Sequence, residues 1–505
     1  MAIELEKGSL NINQIIGSKY LTDTIDSDCI VPDVKPDILE IVGTSGVINI
    51  YKKELTDGKI RIDGSVQAYI MYYGEEEKRK SVRSINHTLD FSQVIQIEGA
   101  NSDMIESTEV TLQSIDCKIV NERKISISAT LNYDVKILSN ATEDYINNVK
   151  ISDIQKMEKN LSIKSVIGVS ETKTSVNEAI SIEPSEELAE ILKVSTSFSS
   201  IENKISYNKV LTKADLNLKL LYLTEDGRVE IIKRTFPIMG FVDMKNINDD
   251  SICDSEIEIR NMVLKPSTNQ EHNISVNFEI AIKVYAYQTK TINVIEDLYS
   301  PSKNLEFSQK NITVISSKSN YRATYNFSEK KEIGLTNEKV IDIQANVLPN
   351  NVRNEDGSIA ISGNIDFLIM MTDEDYSMIK VKKISSPFVY KMAAKDVTAK
   401  SSISLKYYII NENYNILPGG NIDFKVDVVF IANATNLTSI KLINNVEEKA
   451  DDSSKRANMI IYFTKEGDTL WNIAKTFKST VNSIKEINNM SDDKVQSGMQ
   501  LYIIS

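Results

Sequence analysis

The chain reads as mainly β: three tandem β-sandwich-like repeats plus a small C-terminal βααβ domain. Three observations predict this. Strand-like alternation outnumbers helical spacing through the body of the chain. Two alternating segments recur with a common period near 150 residues. The apolar period changes from two to 3.6 only near the C-terminus.

The repeats come first in chain order. Residues 64–72 (Gly-Ser-Val-Gln-Ala-Tyr-Ile-Met-Tyr) align with residues 214–222 and 363–371. Residues 125–131 (Ile-Ser-Ile-Ser-Ala-Thr-Leu) align with residues 274–280 and 422–428. Alternation in both landmarks marks half-buried strands, because successive side chains leave a strand on opposite faces. An acidic turn follows each first landmark: Gly74-Glu75-Glu76-Glu77, Thr224-Glu225-Asp226-Gly227 and Thr372-Asp373-Glu374-Asp375. A new apolar run then begins at Val82, Val229 and Ile379, which reads as a hairpin in every copy. The turns lack the oxygen-ligand spacing of a calcium loop and read as solvated tips. Before each hairpin lies an acid-and-apolar stretch, at residues 36–41, 186–191 and 337–342. The second has helical character, so one short helix per repeat is expected. These readings place repeats at 1–150, 151–298 and 299–443.

Residues 444–458 are polar and charged. They lack the apolar content that offsets ordering entropy, so a flexible tether is expected.

Residues 459–505 form the terminal domain. An apolar run ends at Lys465-Glu466-Gly467, as a strand running into a turn does. Leu470, Ile473, Ala474 and Phe477 then fall at i, i+3, i+4 and i+7, one face of a helix. Asp468 or Thr469 can cap it. Val481, Ile484 and Ile487 repeat the spacing behind Ser479 or Thr480, and Gly498 precedes a return strand.

Composition narrows the function. The formal charge of −13 and a pI of about 5.0 argue against nucleic acid or an anionic membrane as partner. No apolar run has the length of a membrane span. Acids at Glu4 and Glu6 stand where an export signal needs a basic start, so the chain is expected to stay in the cytoplasm where it is made. Cys29, Cys117 and Cys253 have no metal-knuckle spacing and read as reduced thiols. The two histidines, His87 and His272, have no ligand-spaced companions. There is no nucleophile elbow and no phosphate loop. No enzymatic activity, cofactor or metal is expected.

Two resemblances sharpen this. Tyr462, Gly467-Asp468-Thr469-Leu470-Trp471-x-Ile473-Ala474, Ile487-Asn488-Asn489 and Lys494-Val495-x-x-Gly498 resemble a LysM module, with Ser497 where family members carry proline. The resemblance implies a βααβ fold and a possible glycan groove for peptidoglycan- or chitin-type N-acetylglucosamine polymers, at Gly467, Asp468, Thr469, Asn489 and Met490. Residues 30–41 (Ile-Val-Pro-Asp-Val-Lys-Pro-Asp-Ile-Leu-Glu-Ile) and 64–72 resemble the SPOCS domain of spore-coat assembly proteins. Together they imply a coat adaptor recruited by the stage IV sporulation coat-basement ATPase, in contact with other coat proteins. It would work from the mother-cell cytoplasm at the forespore surface. Under this reading Met459, Ile460, Phe463, Trp471 and Lys475 are the candidate partner-binding residues. Trp471, the only tryptophan, lies beside the apolar stripe of its helix and is expected to be partly exposed. A wall-glycan binder and a structural component of a phage-like tail are the other readings.

Overall fold

The computed structural model describes residues 3–76, 79–182, 187–266, 272–335, 338–373, 378–450 and 459–504. Glu77, residues 183–186, Asn337, Glu374, Asp375 and residues 451–458, all named above, lie outside the described residues.

The first third holds β1 (Glu4–Ile12), β2 (Ile15–Ile30), β3 (Ile38–Thr56), β4 (Lys59–Glu76), β5 (Arg79–Gln96), β6 (Ile105–Asn121), β7 (Lys124–Leu138) and β8 (Ala141–Lys150). Two antiparallel sheets, β3-β4-β5 and β2-β7-β6, face each other. The first landmark is the central strand β4 and the second the central strand β7. Their inward residues, Ile62, Val66, Ile70 and Tyr72 against Ile125, Ile127, Leu131 and Tyr133, are buried together. Alternation thus defines one sheet face, and the two faces make a sandwich.

The second third repeats this with β9 (Gln155–Ser181), β10 (Leu188–Ser206), β11 (Lys209–Thr224), β12 (Val229–Asp243), β13 (Ile252–Pro266) and β14 (Asn273–Tyr299). The meander β10-β11-β12 covers β13, β14 and the second half of β9. The last third has β15 (Asn304–Glu332), β16 (Lys339–Glu355), β17 (Ser358–Thr372), β18 (Ile379–Ala393), β19 (Ser402–Leu417) and β20 (Asn421–Lys449). There β16-β17-β18 packs on β15, β20 and β19, with Phe367 stacked on Phe424 at 4.3 Å between ring centroids.

The strand pairs β9–β14 and β15–β20 run beyond their sandwiches as two-stranded ribbons. The first third forms the same ribbon from β1 and β8. Leu10, Ile12 and Tyr145 from that ribbon meet Ile163, Ile292, Val294, Ile312, Val314, Ile440 and Leu442 from the other two in one buried cluster. The three ribbons therefore make a common stalk. The meanders also converge: Met71, Leu221 and Met370, at matching positions of β4, β11 and β17, share a second cluster. Tyr73 joins the first third to the last, its hydroxyl donating to the Ile379 carbonyl at 2.7 Å and accepting from the Ile379 amide.

Two expectations are corrected. Residues 188–191 are strand, the start of β10, and the described part of residues 186–191 contains no helix. The register of β10 skips a residue at Leu188/Glu190 and again at Ile191/Lys193. Each bulge adds a residue between inward positions, so apolar side chains recur at helix-like intervals on a strand. β3 has the same two bulges and β16 has one of them. Second, residues 444–449 are not tether: they end β20, with 445–449 paired with residues 304–308. Pairing and the buried Val446 hold a segment whose composition alone would not. The cut at 443/444 thus falls inside a strand, while that at 150/151 falls in the turn after β8. The glycines of the first landmark, Gly64 and Gly363, have a local cause. A Cβ on Gly64 would lie 2.4 Å from the Asn49 carbonyl, and one on Gly363 2.2 Å from the Leu348 carbonyl. Bulges at Ile50/Lys52 and Pro349/Asn351 push the neighbouring strand that close. In the second third the bulge, at Ser199/Glu202, skips two residues instead of one, and Ala214 is tolerated.

Candidate functional site

The terminal domain is built from β21 (Ile460–Phe463), α1 (Leu470–Thr476), α2 (Val481–Ile487) and β22 (Gln500–Ile503). Of the alternative caps, the threonines serve. Thr469 Oγ1 accepts from the Asn472 amide at 3.2 Å and Thr480 Oγ1 from the Ser483 amide at 3.1 Å. Leu470, Ile473, Ala474, Ile484, Leu501 and Ile503 form the small interior, with Tyr462 and Phe477 packed on it.

The first loop is shaped from within. Gly467 has φ of +87°, a left-handed conformation that glycine adopts without strain. The Asp468 carboxylate accepts from the Lys465 amide and the Tyr462 hydroxyl, both at 2.8 Å. These bonds hold its pKa below the ordinary carboxylate value. Across the domain, Asn489 is left-handed at φ +52°, and the Met490 amide donates to the Lys485 carbonyl at 2.9 Å. Asn488 braces this loop to β22 through both the amide and the carbonyl of Tyr502. Gly467, Asp468 and Thr469 thus flank the first helix, and Asn489 and Met490 follow the second.

A family model described as SipL, SPOCS domain, matches residues 37–120 and 187–266, and a LysM domain model matches residues 462–503. The chain carries SipL-type SPOCS domains and a LysM domain. No curated protein and no solved structure matches it. The two SPOCS segments cover β3 to β6 and β10 to β13; β16 to β19 lie outside them.

The strand register of the LysM domain sorts the candidate partner residues. Ile460 pairs with Ile503 and packs on the interior, while Ile461 pairs with Tyr502. The outward face therefore carries Met459, Ile461, Phe463, Tyr502 and Ile504, all exposed. Ile461 was missed from sequence, although alternation from Tyr462 could have found it.

Trp471 and Lys475 lie elsewhere, one turn apart on α1, and they face the scaffold. Trp471 Nε1 donates to Asp297 Oδ2 at 2.7 Å, and the Lys475 ammonium pairs with Asp297 Oδ1. The Tyr299 ring meets Trp471 edge-on at 5.0 Å, and Lys475 sits 5.2 Å from the centre of the Phe307 ring. Asp297 lies at a bulge of β14 where the register shifts after Ile295. The expected free head is therefore docked, because α1 finds a carboxylate and an aromatic ring at the end of the stalk. Trp471 is half-buried, in keeping with the partial exposure expected of it.

Several of the scaffold's buried carboxylates have partners across an interface. Between the first two sandwiches, Glu106 pairs with Lys283 and Glu258 with Lys53, while Glu256 accepts from Ser107 and Tyr285. Burial pushes the Glu258 pKa up; it pushes Glu106 the same way, but Lys283 and Lys53 outweigh it and hold Glu106 down. Because these groups are buried, separating the partners would leave charges unpaired at a cost, which fixes how the two sandwiches meet. His87 Nε2 lies 2.8 Å from the Ser27 hydroxyl. Among the described residues no helix is long and apolar enough to cross a membrane, and no cluster of potential metal ligands occurs.

Proposed function

We propose that the chain is a non-catalytic spore-coat assembly adaptor. Its LysM domain binds the coat-basement sporulation ATPase, and its scaffold carries other coat proteins to the forespore surface from the mother-cell side. In this reading the third meander, with its sandwich, is a third SPOCS copy, and coat localisation and encasement are the outcome. The observation that supports protein recognition is the outward face of β21 and β22. Five exposed apolar side chains lie side by side on a domain of fewer than fifty residues. Clustered apolar surface of this kind marks a contact site, since it is costly to leave in water.

The test is a pull-down of the ATPase with the full chain and with a chain ending at residue 458. Full retention by the shortened chain refutes the LysM grip. A second reading, glycan binding, is supported by the LysM match and by the two shaped loops at Gly467–Thr469 and Asn489–Met490. Chitooligosaccharide titration separates the two: micromolar binding favours glycan, and absence of binding favours protein.

A further inference from the structure

The contact between α1 and the stalk has the chemistry of recognition. Two donors one helical turn apart, Trp471 Nε1 and Lys475 Nζ, converge on the two oxygens of one carboxylate. Residues at i and i+4 share a helix face, so the clamp is a property of α1 itself. A charge-assisted bond to each oxygen is stronger than a neutral one and fixes the orientation of the acid. Tyr299, two residues after Asp297, adds an aromatic edge against the indole. The ligand of this clamp is thus an acid followed at i+2 by an aromatic residue, presented on a β-strand.

We propose that Asp297 and Tyr299 are an internal stand-in for the partner's epitope. Resting on the adaptor reading above, the proposal adds a second contact, on α1, to the one on the outward face of β21 and β22, and names what it recognises on the partner: a carboxylate and an aromatic ring two residues apart on a strand. It also names a regulation: the internal pair occupies the clamp until the partner displaces it. A receptor closed by its own mimic binds the external ligand more weakly, by the fraction of time it is open.

Trp471 is the only tryptophan, so its fluorescence reports the clamp in the full chain without a label. Asp297→Ser removes the mimic; Asp297→Asn, which keeps the size and loses the charge, is the second variant if the first misfolds by circular dichroism. Opening is expected to raise acrylamide quenching of Trp471 about threefold. A peptide with the sequence of residues 293–301 (Asn-Val-Ile-Glu-Asp-Leu-Tyr-Ser-Pro) should shield Trp471 again. It should bind the opened variant about tenfold more tightly than the unaltered chain, in the range of ordinary coupling between sites. The same peptide with Lys for Asp should not bind. Unchanged quenching in both folded variants overturns the internal contact, and equal binding of the Lys peptide, or no peptide binding to the opened chain, overturns the epitope chemistry. These readouts involve no ATPase. Loss of the adaptor reading in the pull-down is therefore distinguishable from loss of the clamp. If the clamp regulates the adaptor, Asp297→Ser also binds the ATPase about tenfold more tightly, and unchanged affinity overturns the regulation.

Discussion

Replacing Ile461 and Phe463 together by alanine should remove two of the five outward apolar side chains of the LysM domain without touching its interior. Ile461 is 55% exposed and Phe463 61% exposed, so each has more than half of its surface left to bury against a partner. Full burial of such a side chain is worth roughly 1.5–3 kcal/mol. Scaled by the exposed fractions, the pair supplies about 1.7–3.5 kcal/mol to binding. At 1.4 kcal/mol per tenfold, that is a loss of affinity of roughly 20- to 300-fold. Ile460, Leu501 and Ile503 stay in place beneath, so the domain should keep its fold. The assay is biolayer interferometry of the full chain against immobilised sporulation ATPase, with circular dichroism as the folding control. A change below threefold in a folded double variant would refute the claim that this face makes the contact.

Three further outcomes follow from the scaffold. Tyr73→Phe removes both bonds to Ile379 inside the buried junction of the meanders, which should cost about 1–3 kcal/mol in urea denaturation; a loss under about 0.5 kcal/mol would mean the junction is not closed there. Gly363→Ala places a Cβ 2.2 Å from the Leu348 carbonyl and should lower stability by about 2 kcal/mol or more, whereas Ala214→Gly at the matching position should cost under about 1 kcal/mol; equal effects would show that the bulge is not the cause. Burial pushes the Cys117 and Cys253 thiols up to about 11. An unfolded thiol ionises near 8.5, so above that value the unfolded state binds fewer protons and folded stability falls as pH rises towards 11. Iodoacetamide labelling at pH 8 should accordingly be about 100-fold slower than for a free thiol; labelling at the free-thiol rate would contradict the burial of these groups.

Much of the fold was legible because burial writes itself locally. In β7 every second residue from Ile125 to Ile137 is buried, and that alternation is visible without any partner strand. The 3.6-residue period of Leu470, Ile473, Ala474 and Phe477 was equally plain, whereas each helix cap was narrowed only to a pair of residues, of which the threonine serves. Bulges defeated the same logic at residues 188–191, since an inserted residue changes the local period without changing the element. Composition likewise misread residues 444–449: a polar strand is held by a distant one at residues 304–308.

By itself the amino-acid sequence determined what depends on neighbours in the chain: the strands, the two LysM helices, the hairpins and the period that copies them. Tertiary structure alone decided which copies touch. It gathered three ribbons into one stalk and three meanders around Met71, Leu221 and Met370. It also set Trp471 and Lys475 against Asp297, some 174 residues and more away along the chain. A side chain's preference for burial, or an ammonium's need of a carboxylate, is encoded at one position; the identity of what satisfies it depends on how the whole chain closes in space.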